Sequence, residues 1–330
     1  MSIDIWLKKY LARCPNHSKQ GLTFRVSRFT IRRLLPASIA FMKASRSEFH
    51  MIRGLRHHVR IWGDPAAPRL FLLHGWMDVA ASFQFLVDGF AREWCAIAPD
   101  WRGFGLTEWS REGYWFPDYY ADLEALLDHY QPVEPVRLVG HSMGGIIGSV
   151  YAGIRPDRVS RLVSLEGLGL ARHPPDQAPL RYMHWLGQLK DAPGFKPYRS
   201  FEEVAARLRR KNPRLSEERA VFLARHWAKR LDNGDVVLAS DPRHKLVNPY
   251  LFRVEEAIAC WRRISAPVLL VSGKQSDIPS RMKYTPEELA ERKGAFRNRR
   301  EIELDDAGHM MHHDQPQLLA RIIEEFFDTA

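Results

Sequence analysis

The stretch Gly140-His141-Ser142-Met143-Gly144 follows the apolar run Val136-Arg137-Leu138-Val139 and precedes the helical-looking run Ile146 to Ala152. A Gly-x-Ser-x-Gly at a strand-to-helix junction predicts a sharp turn that lifts a serine hydroxyl clear of the backbone. Strained backbone at the serine needs small neighbours, and Gly140 and Gly144 let strand and helix approach closely enough to hold it. Ser142 then stands at a helix N-terminus, where backbone N–H groups favour negative charge. The pentapeptide alone also fits an ordinary strand-to-helix turn, so the rest of the chain decides between the two.

A serine nucleophile needs a base to take its proton and an acid to orient that base. Near the C-terminus, Ile302-Glu303-Leu304 reads as a strand, Asp305-Asp306-Ala307-Gly308-His309 as the loop after it, and Gln317 to Phe327 as a helix. His309 is therefore the candidate base. Upstream, Ala266-Pro267-Val268-Leu269-Leu270-Val271-Ser272-Gly273 is continuously apolar and β-rich, the composition of a buried parallel strand. Asp277 is the first carboxylate beyond it and is the expected acid. Glu166 ends an earlier strand, Arg161 to Leu165, and is its rival. An oxyanion hole also requires two backbone donors. Met143 N–H follows the nucleophile, and Trp76 N–H belongs to His74-Gly75-Trp76, the loop after the strand Arg69 to Leu73.

With Asp100-Trp101-Arg102-Gly103-Phe104-Gly105 added to these motifs, the chain resembles the α/β-hydrolase superfamily over roughly residues 46 to 328. His74-Gly75-Trp76-Met77-Asp78 with Ala81-Ser82-Phe83, and Asp241-Pro242-Arg243, are similar to the serine hydrolase-like (kraken-type) subgroup. The resemblance implies a catalytic triad of Ser142, Asp277 and His309 with an oxyanion hole at Trp76 and Met143. The spacing Gly-x-x-Asp, frequent in the superfamily, would put the acid at Ser276; here the pattern is Gly-x-x-Ser-Asp. Serine at the nucleophile position argues against haloalkane dehalogenases and epoxide hydrolases of this fold. Asp100 and Arg102 are expected to hold the active-site loops together.

The expected fold is α/β: the α/β-hydrolase fold, a mostly parallel eight-stranded sheet with helices on both faces and a helical cap insertion. Its strands read as Glu48 to Arg53, His57 to Trp62, Leu70 to Leu73, Cys95 to Ala98, Val136 to Val139, Leu162 to Leu165, Val268 to Val271 and Glu301 to Leu304. Strands alternating with helices imply such a sheet, with the site at the strands' carboxyl ends. From Leu170 to about Tyr250 the alternation stops. Amphipathic helix patterns replace it, at Leu180 to Leu189, Phe201 to Arg210 and Ser216 to Arg230. The expected division is residues 1–45 as a basic N-terminal extension, 46–169 and 251–330 as the core, and 170–250 as the cap. Tyr182, Trp185, Phe195, Tyr198, Phe222 and Trp227 are candidates to line an acyl pocket beneath that cap.

Of the formal net charge of +10, residues 1–46 contribute +9, from ten Lys or Arg and one acid, Asp4. The remainder carries 39 Lys+Arg against 38 Asp+Glu, and so gives no bulk-charge ground for a nucleic-acid partner. Within the basic segment, Ile3, Trp6, Leu7, Tyr10 and Leu11 fall on one helical face. An arm packed on the domain, a helix making weak membrane-surface contact, a transit-like leader, and translated sequence upstream of a start at Met42 all fit it. Residues 1–44 are expected to be dispensable for fold and catalysis. Three widely spaced cysteines, Cys14, Cys95 and Cys260, suit a reducing, cytoplasmic compartment and give neither a disulfide framework nor a metal spacing. His312 and His313 near Asp305, Asp306 and Asp314 do not match a zincin spacing either. The expectation is a serine esterase that needs no cofactor or metal and acts on a small ester-like substrate through an acyl-enzyme. The alternatives are a lactone, thioester, N-terminal-proline amide or carbon–carbon bond hydrolase of this fold, or a non-catalytic receptor or scaffold.

Overall fold

Alternation along the central strands decides the layering. In β3 (Arg69–Leu73), Phe71 and Leu73 pack on one face of the sheet and Leu70 and Leu72 on the other. The same two-residue period divides Val268 and Leu270 from Leu269 and Val271 in β9 (Val268–Gly273). Strands buried on both faces must be covered on both, which is why the sheet is sandwiched between helices. The computed structural model describes residues 42–328. The amphipathic pattern of residues 3–11 and Cys14 lie outside the described residues.

Eight strands form the main sheet: β1 (Ser45–Ile52), β2 (Leu55–Trp62), β3, β4 (Cys95–Pro99), β5 (Val136–His141), β6 (Val159–Leu165), β9 and β10 (Arg299–Leu304). Their order is β1-β2-β4-β3-β5-β6-β9-β10. The β1–β2 and β2–β4 pairs are antiparallel and the others are parallel. Helices Phe116–Tyr130, Met143–Ile154 and Val254–Trp261 cover one face, where Trp261 stacks on Phe296 with ring centroids 5.0 Å apart. Gln84–Gly89 and Pro316–Asp328 cover the other.

Strand pairing already includes the residue before position 46. Ser45 already pairs with Trp62, and Lys43 N–H donates to Asp88 at 2.7 Å.

Between β6 and Val254–Trp261 lie the helices Ala178–Lys190, Phe201–Lys211 and Glu217–Trp227, close to the three expected. The last of these is shorter than its sequence pattern, because Ala228–Arg230 (β7) leaves the helix and pairs antiparallel with Val236–Leu238 (β8). Val204, Leu208, Leu223, Val236 and Leu238 of this segment form an apolar cluster that also takes in Phe85 of the core. Ser200 and Ser216 cap two of the helices by accepting hydrogen bonds from the N–H groups of Glu203 and Arg219.

Candidate active site

Parallel register brings the carboxyl ends of β5, β6 and β9 level. His141 pairs with Leu165, and Leu165 with Val271. The next residue on each of the first two strands continues the ladder: Ser142 N–H donates to Leu165 O at 2.8 Å, and Glu166 N–H to Val271 O at 3.0 Å. Both residues then turn sharply, each with φ of 52°. Left-handed backbone at a non-glycine costs on the order of 1–3 kcal/mol and persists where surrounding structure fixes it. At Ser142 the constraint is the elbow. A Cβ at Gly144 would stand 2.0 Å from Leu73 O, so the helix Met143–Ile154 reaches this close to β3 only with glycine there.

The loop after β3 is fixed from below. Trp101 N–H donates to His74 Nε2 at 3.0 Å, so the remaining ring proton is on Nδ1, which donates to Gly75 O at 2.8 Å. The Gly75 carbonyl thus points toward the buried imidazole. In a trans peptide the Trp76 N–H faces the opposite way. A Cβ at Gly75 would lie 3.2 Å from Ser142 Cβ, so the loop and the nucleophile turn are in near contact. Asp100 anchors the same region, accepting from Ala80 N–H at 2.7 Å, Leu106 N–H at 2.9 Å and the His58 ring at 2.7 Å. Arg102 grips buried Asp122 with two hydrogen bonds of 2.6 Å. Both residues therefore hold loops, as the sequence suggested.

The carboxylate beside His309 is Glu166, and this corrects the expectation of Asp277. His309 Nδ1 lies 2.7 Å from Glu166 Oε2. Glu166 is buried, with its side chain 6% exposed, and it also accepts from Ser276 Oγ at 2.7 Å and Gly273 N–H at 3.0 Å. Asp277 instead stands just before the short helix Ile278–Arg281 without a capping hydrogen bond from its side chain, which is 67% exposed and 3.8 Å from Arg281. The reason is reach. Glu166 leaves the strand next to Ser142 in left-handed geometry on a long side chain, whereas the extra residue Ser276 carries Asp277 past the base and into solvent. Gly167 directly after Glu166 is the sequence signal for that turn; a Cβ there would stand 2.5 Å from Gly145 C.

Ser142, Glu166, His309, Trp76 and Met143 all line one cavity of about 540 Å³. Trp115, Phe116 and Ile146 of the core, with Leu170, Trp185, Leu189 and Trp227 of the 170–250 segment, make its walls largely apolar. Of the expected pocket aromatics, Trp185 and Trp227 reach it. Phe195, Tyr198 and Phe222 pack on the apolar cluster of the insertion, and Tyr182 lines a neighbouring groove. The loop that carries His309 is tied down as well: Gly308 N–H donates to Asp314 at 2.9 Å, and Asn212 from the insertion donates to the same carboxylate at 2.6 Å. No helix among the described residues is long and apolar enough to cross a membrane.

A strand-ended elbow serine, a loop histidine and a buried carboxylate on this sheet are the parts of an α/β hydrolase. The family model for the alpha/beta hydrolase fold matches residues 68–316, and the chain belongs to that family. Its relatives include a serine hydrolase-like protein of Danio rerio, 26% identical over 86% of this chain and 89% of the relative. A 3-hydroxybutyrate-oligomer hydrolase of Cupriavidus necator is 30% identical over 82% of this chain and 92% of that protein. Among solved structures, the thioesterase domain from the curacin biosynthetic pathway superposes with a TM-score of 0.74 at 24% identity, over 85% of this chain and 99% of that one, a likeness of fold.

Proposed function

We propose that the protein is a serine hydrolase of carboxylic esters working through an acyl-enzyme, with Ser142, His309 and Glu166 as its triad. The observation that carries this reading is the 2.7 Å contact from buried Glu166 to His309 Nδ1, on the wall of the cavity that also holds Ser142. A carboxylate on Nδ1 leaves Nε2 as the basic nitrogen. Ser142 Oγ attacks the ester carbonyl as Nε2 takes its proton. The oxyanion is met by the N–H groups of Trp76 and Met143, the second at the N-terminus of Met143–Ile154. His309 returns the proton to the departing alkoxide, leaving Ser142 acylated. Water, deprotonated by the same imidazole, attacks the acyl carbonyl and releases the acid and the free serine. Each step balances with substrate and water alone.

The apolar walls favour an uncharged acyl or alcohol portion. The name of the Cupriavidus necator relative directs the first assays to esters of short hydroxy acids beside simple alkyl esters. The test is covalent. A fluorophosphonate should modify Ser142 alone, located by peptide mass spectrometry, and Ser142→Ala should lose both labelling and turnover. Modification at another residue, or turnover that survives in S142A, defeats the reading.

A further inference from the structure

Under the Gly75–Trp76 turn, three buried side chains from distant parts of the chain converge. Asp78 follows the turn, His141 ends β5, and His312 lies on the short helix Met311–Asp314. Their relative exposures are 2%, 2% and 0%. One potential ligand atom from each lies within 4.8 Å of the others. Among the described residues, Asp78 Oδ2, His141 Nδ1 and both ring nitrogens of His312 have no hydrogen-bond partner. Buried polar atoms are paired in the great majority of cases, so four such atoms in one cluster point to a bound group.

The hydrogen bonds that do exist define which lone pairs remain. His141 Nε2 is 2.9 Å from the carbonyl oxygen of His309. A carbonyl only accepts, so Nε2 carries the proton and Nδ1 keeps its lone pair. Ligating imidazoles characteristically give their other N–H to such an acceptor. Asp78 Oδ1 is taken by Val79 N–H at 2.8 Å and by the Ser82 hydroxyl. Oδ2 is left facing His312 Nε2 at 3.8 Å. Donors about 3.4 Å apart are what tetrahedral zinc with bonds of about 2.0–2.2 Å demands, so the cluster closes around an ion with small side-chain shifts.

The geometry points to a divalent transition-metal site of two imidazoles and one carboxylate, formed by Asp78, His141 and His312 and suited to Zn²⁺, Co²⁺ or Cu²⁺. Asp78 and His141 also line the large cavity, which gives the ion a way in and a side open to a fourth ligand. The site lies behind Ser142 rather than among the reacting groups. His141 is the residue before the nucleophile and its ring holds the His309 carbonyl, while Asp78 belongs to the loop that carries Trp76. An ion drawing Asp78 and His141 together displaces both supports, so its effect on turnover is inhibitory. Metal binding itself is independent of the hydrolytic reading.

The test uses full-length protein without an affinity tag, stripped with a chelator and titrated with ZnCl₂ by calorimetry and with CoCl₂ by visible absorption. One equivalent should bind, cobalt should give the intense bands of a four-coordinate site, and ester turnover should fall in step with occupancy. Asp78→Asn and His312→Gln should each weaken zinc binding by at least about tenfold, with circular dichroism confirming that they fold. Should either fail to fold, anomalous scattering from a zinc-soaked crystal of the unaltered protein locates the ion directly. Absence of binding, unchanged affinity in both folded variants, or an ion located elsewhere overturns the site. Full turnover at saturation overturns the inhibitory effect.

Discussion

Ser276 and His309 share one oxygen of Glu166. Each lies 2.7 Å from Oε2, and Oε1 is held separately by Gly273 N–H at 3.0 Å. Ser276 occupies the place where the Gly-x-x-Asp spacing of this fold would put the acid itself. The carboxylate has moved to the neighbouring strand, and a hydroxyl at the former place steadies it.

The first prediction separates the two carboxylates. Glu166→Gln keeps the shape but cannot balance an imidazolium, and its amide can donate to Nδ1 and favour the wrong tautomer. Its kcat/KM on a short ester should fall roughly 10²–10⁴-fold. Asp277→Asn changes an exposed group and should stay within about twofold of wild type, the size of an ordinary surface effect. A large loss in D277N with a small one in E166Q would return the acid to Asp277.

The second prediction uses Ser276 as a probe of position. In Glu166→Gln, adding Ser276→Asp places a carboxylate at the alternative location beside the base. The double variant should recover turnover by at least about tenfold over E166Q alone, a gain within the range of a positioned acid–base partner. Both proteins should label with fluorophosphonate, which confirms an intact elbow. No recovery would mean that the base cannot be oriented from β9.

The third prediction concerns acid stability. His244 is stacked between Phe104 and Tyr114, with centroid separations of 3.8 and 3.6 Å, and burial lowers its pKa from 6.5 to about 3. The unfolded chain therefore takes up this proton first. Stability from the neutral ring is complete above about pH 6.5 and is lost as pH falls toward 3, by up to about 1.4 kcal/mol per pH unit from this one group. Burial also depresses His57, His74, His141 and His313, so the wild type should be markedly acid-labile. His244→Phe keeps a ring in the stack and removes one titration. Urea midpoints measured from pH 7 to pH 4 should decline less steeply in H244F; an identical slope contradicts the argument.

Much of this arrangement was legible in the residues because short-range rules govern it. The continuous apolar runs at 70–73 and 268–271 are strands buried on both faces, and the Gly-x-Ser-x-Gly pentapeptide is a strand-to-helix turn. The acid was legible only as a choice. Counting positions beyond β9 favours Asp277, and nothing local says that Ser276 turns the chain outward or that Glu166 reaches across from β6. The β7–β8 ribbon escaped because Ala228–Arg230 and Val236–Leu238 are three residues each, too short for alternation to stand out from the helix before them. The Asp78, His141 and His312 cluster has no sequence spacing at all. It exists only because the fold brings the loop after β3, the end of β5 and the short helix Met311–Asp314 together.

An acid at the end of β6, as proposed, separates two duties that a single loop would otherwise combine. The segment after β9 still borders the cavity beside Ser142 through Ile278, Arg281 and Met282, yet Asp277 and the short helix after it supply no member of the triad proposed for this chain. Variation from 277 to 283 can therefore reshape what the cavity accepts while the reacting groups stay where they are. For evolution, and for directed libraries, that stretch is a tuning surface mounted beside a fixed reaction centre.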